Sequence, residues 1–247
     1  MADFIHYKNT KISFTSVGKG KAVVLLHGFL ENSTMWYSVA SELSKRHRVI
    51  CIDLLGHGKT ACMGYVHTMD LMAEVVEAVL KKLRIRRPIL IGHSMGGYVA
   101  LAFAEKYPEK VKGLCLMNSS TLTDNKERVR LRNSAIKVAH KQFKSLVRLS
   151  ITNLFKAANV KKYKNEIDQI KEQALLTPLQ GYIAAQEGMK TRPDKSVVMS
   201  KSSFSKLYII GKHDPILPFK PLIEEAKKSE TQTTVFPDGH MSHIENK

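Results

Sequence analysis

A serine framed by glycines ends an apolar run in the segment ILIGHSMGGY, residues 89–98. Ser94 stands between Gly92 and Gly96, which is the pattern G-x-S-x-G. Where a strand turns sharply into a helix, small neighbours let the backbone close around the serine, whose hydroxyl then points outward at the helix N-terminus. The pattern alone is a weak signal, but its place between an apolar run and a helical segment makes Ser94 a candidate nucleophile.

A serine hydroxyl needs a base to remove its proton and an acid to orient that base. The segment IIGKHDP places Asp214 just after an apolar run, and VFPDGHMSHIEN places His240 in the loop after the next one. His243 is a competing base in the same loop, and Asp124 and Asp238 are competing acids. These residue types together favour nucleophilic catalysis by an activated serine.

The composition is that of an ordinary globular chain with an excess of positive charge. The 247 residues carry a net charge of +17, and their number suits one α/β domain or a core with an inserted subdomain. No run is long and apolar enough to span a bilayer, and MADFIHYKNT lacks the features of a secretory signal. The three cysteines have no metal-ligand spacing. We therefore expect a cytoplasmic protein with no metal site and no membrane partner.

Short apolar runs alternate with amphipathic patterns along most of the chain. FIHYKNT and KISFTSVG predict an antiparallel strand pair near the N-terminus. Further strands are predicted at 22–26, 48–55, 88–92, 111–118, 205–211 and 233–237, and helices at 33–44, 68–83, 95–107 and near 219–228. Repeated strand–helix order indicates a mostly parallel sheet with helices on both faces, whose ligand site lies beyond the C-terminal ends of the strands.

The alternation is interrupted from Thr121 to about Lys190, where the pattern predicts three or four helices in succession. The residues around 195–206, with their lysines and isolated serines, indicate a solvated connector. We therefore predict two units in the chain. Residues 1–120 and 196–247 form the α/β core, and residues 121–195 form a helical cap insertion.

Six segments resemble those of a known superfamily: LLHGF, DLLGHGKT, GHSMGGYVAL, NSS, GKHDPILP and PDGHMSHIEN. In their order and spacing they are similar to α/β-hydrolases, in the capped group that includes esterases and thioesterases. The resemblance covers essentially the whole chain. It implies the α/β-hydrolase fold, a mostly parallel twisted sheet flanked by helices with an inserted helical cap. It also implies that Ser94 is the nucleophile, His240 the general base and then acid, and Asp214 the acid that orients His240.

The same resemblance assigns the oxyanion hole to two backbone N–H groups, those of Met95 and Phe29. It leaves structural or packing roles to the other polar residues at the strand ends, His27, Asp53, His57 and His93. A serine nucleophile disfavours the dehalogenases and epoxide hydrolases of this superfamily, which use an aspartate. Members of the group usually continue with another helix after the histidine, so the end at Lys247 indicates a truncated C-terminus.

The reaction expected from the resemblance is hydrolysis of a carboxylic ester, or a thioester, of a small or medium acyl substrate through an acyl-enzyme. No metal or organic cofactor is implied. Carbon–carbon bond hydrolysis, or a lyase reaction of the menaquinone-pathway type, would use the same three residues. A non-catalytic ligand-binding receptor on this fold is a hypothesis of another class, which the presence of all three residues disfavours.

Positive charge is concentrated in the predicted cap. Residues 121–195 carry 16 basic and 7 acidic side chains, which is +9 of the total of +17. Such charge is typical of solvated helix faces, and it would also steer an acidic partner such as acyl-CoA or an acidic acyl-carrier protein. No reading motif accompanies the charge, so nucleic-acid binding is not expected.

Overall fold

An eight-stranded sheet forms the centre of the part that the computed structural model describes, residues 2–246. Its strands are β1 (Asp3–Tyr7), β2 (Thr10–Val17), β3 (Ala22–Leu26), β4 (Arg48–Ile52), β5 (Ile89–His93), β6 (Gly113–Met117), β7 (Ser205–Gly211) and β8 (Gln232–Phe236). They lie in the order β1-β2-β4-β3-β5-β6-β7-β8. β2 pairs antiparallel with β1 and β4, whereas all pairs among β3 to β8 are parallel. The mostly parallel sheet is thereby confirmed.

Helices flank this sheet along the described chain. They are α1 (Tyr37–Ser44), α2 (Met69–Lys82), α3 (Met95–Lys106), α4 (Lys126–Thr152), α5 (Lys164–Ala174), α6 (Leu179–Lys190), α7 (Ser196–Lys201), α8 (Phe219–Lys228) and α9 (Ser242–Glu245). Short 3₁₀ turns occupy Ser33–Trp36, Pro108–Lys110 and Ala157–Asn159. Within residues 2–246 no helix combines the length and the apolar character needed to cross a membrane.

The helices α2 and α3 pack against each other beside the sheet. α2 begins after Thr68, whose Oγ1 accepts a hydrogen bond from the Leu71 N–H at 3.1 Å, as helix-capping threonines do. Its buried face has helical spacing and contains Met72, Val75, Val76 and Val79. α3 is buried from Met95 to Ala104, because it lies between α2 and the strands β3, β5 and β6. This central helix therefore holds the segment after Ser94 in a fixed place.

Helices α4 to α6 lie between β6 and β7, in the segment where successive helices are predicted. Asn125 caps α4, because its Oδ1 accepts a hydrogen bond from the Arg128 N–H at 2.8 Å. The helix is kinked at Gln142, whose backbone angles are not helical. α4 contacts both α5 and α6 through a second apolar cluster that includes Val147, Ile151 and Tyr182.

The interpretation of 195–206 as a solvated connector is wrong. The segment contains α7, whose Val198 and Met199 are buried in the main core. Lys195 is also buried, with its Nζ beside a carboxylate oxygen of Glu105. The polar residues around Val197, Val198 and Met199 concealed a short helix, because six residues are too few to display a helical period.

Candidate active site

Ser94 occupies the turn between β5 and α3 in a left-handed backbone conformation. Its φ is +49° and its ψ −114°, a region that non-glycine residues adopt only where the surroundings impose it. The turn needs its glycines. A Cβ on Gly92 would lie 2.3 Å from the carbonyl oxygen of Gly96, and a Cβ on Gly96 would lie 2.2 Å from that of Leu26. Ser94 is therefore held, half-buried, at the C-terminal edge of the sheet where α3 begins.

Asp214 follows β7, His240 follows β8, and their side chains are in direct contact. His240 Nδ1 lies 2.7 Å from Asp214 Oδ2, and the two side chains are 2% and 0% exposed. Since an ionised carboxylate can only accept hydrogen bonds, Nδ1 carries the proton. The other ring nitrogen, Nε2, is then the one that can take up a proton.

The carboxylate of Asp214 is held by four donors. Its Oδ1 accepts from the N–H groups of Ile216 at 2.7 Å and Leu217 at 2.9 Å. Its Oδ2 accepts from Asn118 Nδ2 at 3.0 Å as well as from His240. Burial by itself raises the pKa of Asp214, but the charge of His240 and these hydrogen bonds outweigh burial and lower that pKa below its usual range. Asp214 is thus an anion of fixed orientation at neutral pH.

The loop that carries His240 is hydrogen-bonded to the segment between α4 and α5. The His240 N–H donates to the carbonyl oxygen of Leu154 at 3.1 Å. Glu245, which is buried, accepts from the Gly239 N–H at 3.1 Å through one carboxylate oxygen and from the Lys156 N–H at 3.0 Å through the other. The position of His240 therefore depends on contacts with residues 121–195 as well as on the sheet.

The two segments that carry Phe29 and Met95 meet beside the turn of Ser94. Met95 is the first residue of α3, and the first N–H groups of a helix have no acceptor within the helix. Phe29 lies in the loop after β3, and a Cβ on Gly96 would come within 2.7 Å of the His27 carbonyl oxygen in that loop. The predicted oxyanion donors thus belong to neighbouring backbone segments.

The polar residues at the ends of β3 and β4 hold loops together. His27 Nε2 accepts from the Leu54 N–H at 2.9 Å, and Asp53 Oδ1 accepts from the Ser33 N–H at 2.8 Å. Burial lowers the pKa of His27 and lowers that of His57 to about 3. In the described part of the chain no group of three or more His, Cys, Asp or Glu is arranged to hold a metal ion.

The competing acids are engaged away from His240. The buried carboxylate of Asp124 pairs with Arg132 at the base of the insertion, and Asp238 pairs with Lys156 at 3.1 Å. Asp214 is the carboxylate that contacts the His240 ring. The acid that contacts His240 is therefore the one at the motif position after β7, and not Asp238, which is closer to His240 in sequence.

Three contacts at the site were not predicted from the sequence. Asn118, in a left-handed conformation after β6 with φ +46°, donates to Asp214. The carboxylate of Glu31 contacts His93 Nδ1 at 2.8 Å, and His93 Nε2 lies 3.0 Å from the carbonyl oxygen of His240. The segment NSS drew attention to Asn118, but no sequence signal indicated a role for Glu31. His93, expected to pack or to hydrogen-bond locally, instead joins the turn of Ser94 to the loop of His240.

An aromatic ring of α6 contacts the loop after β3. The ring of Tyr182 in α6 lies 5.0 Å from that of Phe29 and 5.5 Å from that of Phe143 in α4. Tyr182 is almost fully buried, and Phe29 and Phe143 are half-buried. Through these contacts α4 and α6 are connected to the loop after β3, which carries one of the two predicted oxyanion donors.

Known proteins share both the sequence pattern and the architecture. A family model described as alpha/beta hydrolase fold matches residues 21–135. The chain is 30% identical over 227 residues to a 2-hydroxy-6-oxononadienedioate/2-hydroxy-6-oxononatrienedioate hydrolase of Burkholderia vietnamiensis, covering 84% of this chain and 76% of that protein. It is 37% identical over 111 residues to an uncharacterized protein of Mycobacterium tuberculosis, so the match spans 45% of this chain and about a third, 33%, of that relative's length.

Among solved structures, a thermophilic esterase from Thermogutta terrifontis has the same fold. It superposes with a TM-score of 0.90 at 30% identity and covers 98% of this chain and 92% of that chain. The sheet order and these similarities agree. The chain belongs to the α/β-hydrolase family, and its fold is that of the family's esterases and related hydrolases.

Proposed function

We propose that this protein is a serine hydrolase that cleaves a carboxylic ester, or a thioester, of a small or medium acyl substrate. The observation that carries the proposal is the buried contact of 2.7 Å between His240 Nδ1 and Asp214 Oδ2, in a loop held against the turn of Ser94 by His93. A histidine oriented by an ionised carboxylate beside a strained serine is the arrangement that activates a hydroxyl. The similarity to the Thermogutta terrifontis esterase adds support.

In the proposed mechanism, His240 Nε2 takes the proton of the Ser94 hydroxyl as its oxygen attacks the carbonyl carbon of the ester. The tetrahedral intermediate collapses, the bond to the leaving group breaks, and the imidazolium of His240 returns its proton to the leaving oxygen or sulfur. Water then attacks the acyl-enzyme, giving its proton to His240, and the acid is released when Ser94 regains the proton. Asp214 stays ionised throughout and stabilises the imidazolium.

The developing oxyanion would be stabilised by the backbone N–H groups of Met95 and Phe29. Both are main-chain donors, so their positions matter more than their side chains. The contact between the Phe29 ring and Tyr182 at 5.0 Å supports a fixed loop on one side of the site. We further propose that residues 121–195 act as a cap over this site and that the enzyme works in the cytoplasm.

Carbon–carbon bond hydrolysis is the second candidate. It is favoured by the 30% identity to the Burkholderia vietnamiensis hydrolase, whose name describes action on 2-hydroxy-6-oxononadienedioate and 2-hydroxy-6-oxononatrienedioate. Such a reaction would use the same Ser94, His240 and Asp214. We favour the ester because the Thermogutta terrifontis esterase shares the fold over 98% of this chain at 30% identity.

An anionic substrate carrier would suit the outer face of α4. Five basic residues follow one another along α4 on both sides of its kink at Gln142, namely Arg130, Lys137, Lys141, Lys144 and Arg148. All five are exposed, and their side chains form no salt bridge with any residue between 2 and 246. We propose that this stripe steers acyl-CoA or an acidic acyl-carrier protein toward the site.

A substrate panel tests these proposals together. Wild type should hydrolyse p-nitrophenyl acetate, butyrate or octanoate, and Ser94→Ala should lower kcat/KM at least about 1,000-fold. Turnover of 2-hydroxy-6-oxononadienedioate alone would select the second candidate. No turnover of any substrate by folded protein would contradict an enzymatic role and favour the receptor hypothesis.

Acyl-CoA substrates test the basic stripe of α4 separately from the catalytic residues. Hydrolysis of an acyl-CoA should weaken as salt rises, since screening shortens the reach of the surface charge. Reversal of Lys137, Lys141 and Lys144 to glutamate should lower kcat/KM for acyl-CoA and leave the p-nitrophenyl esters unchanged. A matched reversal on α8, at Lys220, Lys227 and Lys228, should change neither. Equal rates in the two triple variants would refute the steering role.

A further inference from the structure

Glu31 and His93 form an ion pair that is sealed from solvent. The distance between Glu31 Oε2 and His93 Nδ1 is 2.8 Å, and the two side chains are 2% and 1% exposed. The same Oε2 accepts the Gly28 N–H at 2.6 Å. A Cβ on Gly28 would lie 2.5 Å from that oxygen and 2.8 Å from His93 Nδ1. The glycine therefore makes room for the pair.

The surroundings of His93 determine its protonation state. Nδ1 faces a carboxylate oxygen and Nε2 lies 3.0 Å from the backbone carbonyl oxygen of His240. Both neighbours are acceptors, so both ring nitrogens must carry a proton. His93 is thus a buried imidazolium, whereas His27, which accepts from the Leu54 N–H, is neutral.

The partners of the pair lie next to the proposed catalytic groups. Gly28 immediately precedes Phe29, and His93 immediately precedes Ser94. The carbonyl oxygen that accepts from His93 belongs to His240 itself. One carboxylate and one imidazolium therefore connect the loop after β3, the serine turn and the loop after β8.

We propose that Glu31 and His93 are positioning residues. They hold the loop that carries Phe29 and the loop that carries His240 at fixed distances from Ser94. This inference rests on the proposed function. Burying an ion pair seldom adds stability relative to apolar side chains of the same size. Its value here is geometric, because each charged hydrogen bond fixes the distance between two segments that must cooperate in catalysis.

The variant Glu31→Gln separates positioning from packing, because it keeps the shape of the side chain and removes its charge. If the amide oxygen takes the place of Oε2, it can accept from Gly28 and from Nδ1, but a neutral His93 then has no proton on Nε2 for the His240 carbonyl. If the amide nitrogen takes that place, it faces the Gly28 N–H, and two donors oppose each other. A neutral imidazole therefore cannot satisfy the three contacts at once.

The pH dependence of the variant follows from the same contacts. Burial alone lowers the pKa of His93, and in the wild type the Glu31 carboxylate and the hydrogen bonds outweigh burial and raise it. Without the carboxylate, His93 regains its second proton only at lower pH. The ratio of Glu31→Gln activity to wild-type activity should therefore increase as the pH falls. The other titratable groups that act on His93 or face its ring are His27, Asp214, His240 and His243.

The experiment combines kinetics with a measurement that needs no turnover. In nitrogen-15 NMR spectra of wild type between about pH 6 and pH 9, both His93 nitrogens should carry a proton. In Glu31→Gln, kcat for the best ester should fall on the order of 100-fold with KM nearly unchanged, and the loss should be smaller at the acid end of that range. Glu42→Gln, on the exposed surface of α1, is the matched control.

Each outcome has one meaning. A deprotonated His93 nitrogen at neutral pH, or wild-type kcat in Glu31→Gln, would overturn the positioning role. If Glu31→Gln fails to fold, the wild-type spectrum still decides whether the ion pair exists. Failure of the proposed function is distinct, because wild type itself would then be inactive.

Discussion

Replacing Asp214 by asparagine should lower kcat on p-nitrophenyl esters about 10⁴-fold. The reason lies in the four donors around the carboxylate. The backbone N–H groups of Ile216 and Leu217 require an acceptor at the Oδ1 position. The amide nitrogen of the introduced asparagine would then occupy the Oδ2 position and face His240 Nδ1, which lies 2.7 Å from that position. His240 would have to accept there and carry its proton on Nε2, so it could not act as a base.

The measurement is kcat and KM for Asp214→Asn beside wild type, with circular dichroism to establish that both chains fold. KM should change little, because the substitution alters proton transfer and not the substrate pocket. Asp168→Asn, on the exposed surface of α5, is the control and should retain wild-type kcat. Asp214→Asn with kcat within tenfold of wild type would contradict the role of Asp214.

Replacing Gly96 by alanine should lower the free energy of unfolding by about 3 kcal/mol and remove most of the ester hydrolysis. The added methyl group would lie 2.2 Å from the carbonyl oxygen of Leu26 and 2.7 Å from that of His27. Both neighbours are backbone, so no side-chain rotation relieves the clash. α3 must move away from β3, and that movement separates Met95 from the loop that carries Phe29.

Gly113→Ala provides the matched control. Gly113 lies on β6, and a Cβ there would have its nearest neighbour, the Ser205 carbonyl oxygen, at 3.4 Å. Urea unfolding of the two variants should show a large shift of the midpoint for Gly96→Ala and a small one for Gly113→Ala. Equal shifts would show that close packing at the serine turn is not what requires Gly96.

The strands and the long helices could be predicted from the sequence because their apolar periods are determined locally. β3 begins and ends as predicted, at Ala22 and Leu26. The strand predicted at 48–55 ends earlier, at Ile52, and the loop that follows is held by the Asp53 carboxylate, which accepts the Ser33 N–H. α7 was missed since its burial depends on contacts with distant elements, which a short polar segment does not reveal.

The residues of the candidate site also differ in how much of their role the sequence reveals. Ser94, Asp214 and His240 are the residues that the sequence predicts for the site, because each stands in a motif at the end of an apolar run. Glu31 stands in no recognisable motif. Its role depends on a contact with His93, which lies 62 residues further along the chain. A carboxylate near an apolar strand end is usually a surface residue, and only the fold reveals that this one is buried.

The most direct test of the account is covalent labelling with a fluorophosphonate, which reacts with activated serines. Intact mass and peptide mapping should find one phosphonyl group per chain, attached to Ser94. Labelling should be absent in Ser94→Ala and strongly slowed in Asp214→Asn, because the probe reports the serine activation that Asp214 supports through His240. A folded wild-type protein that stays unlabelled, or one labelled at another serine, would contradict the assignment of Ser94 as an activated nucleophile.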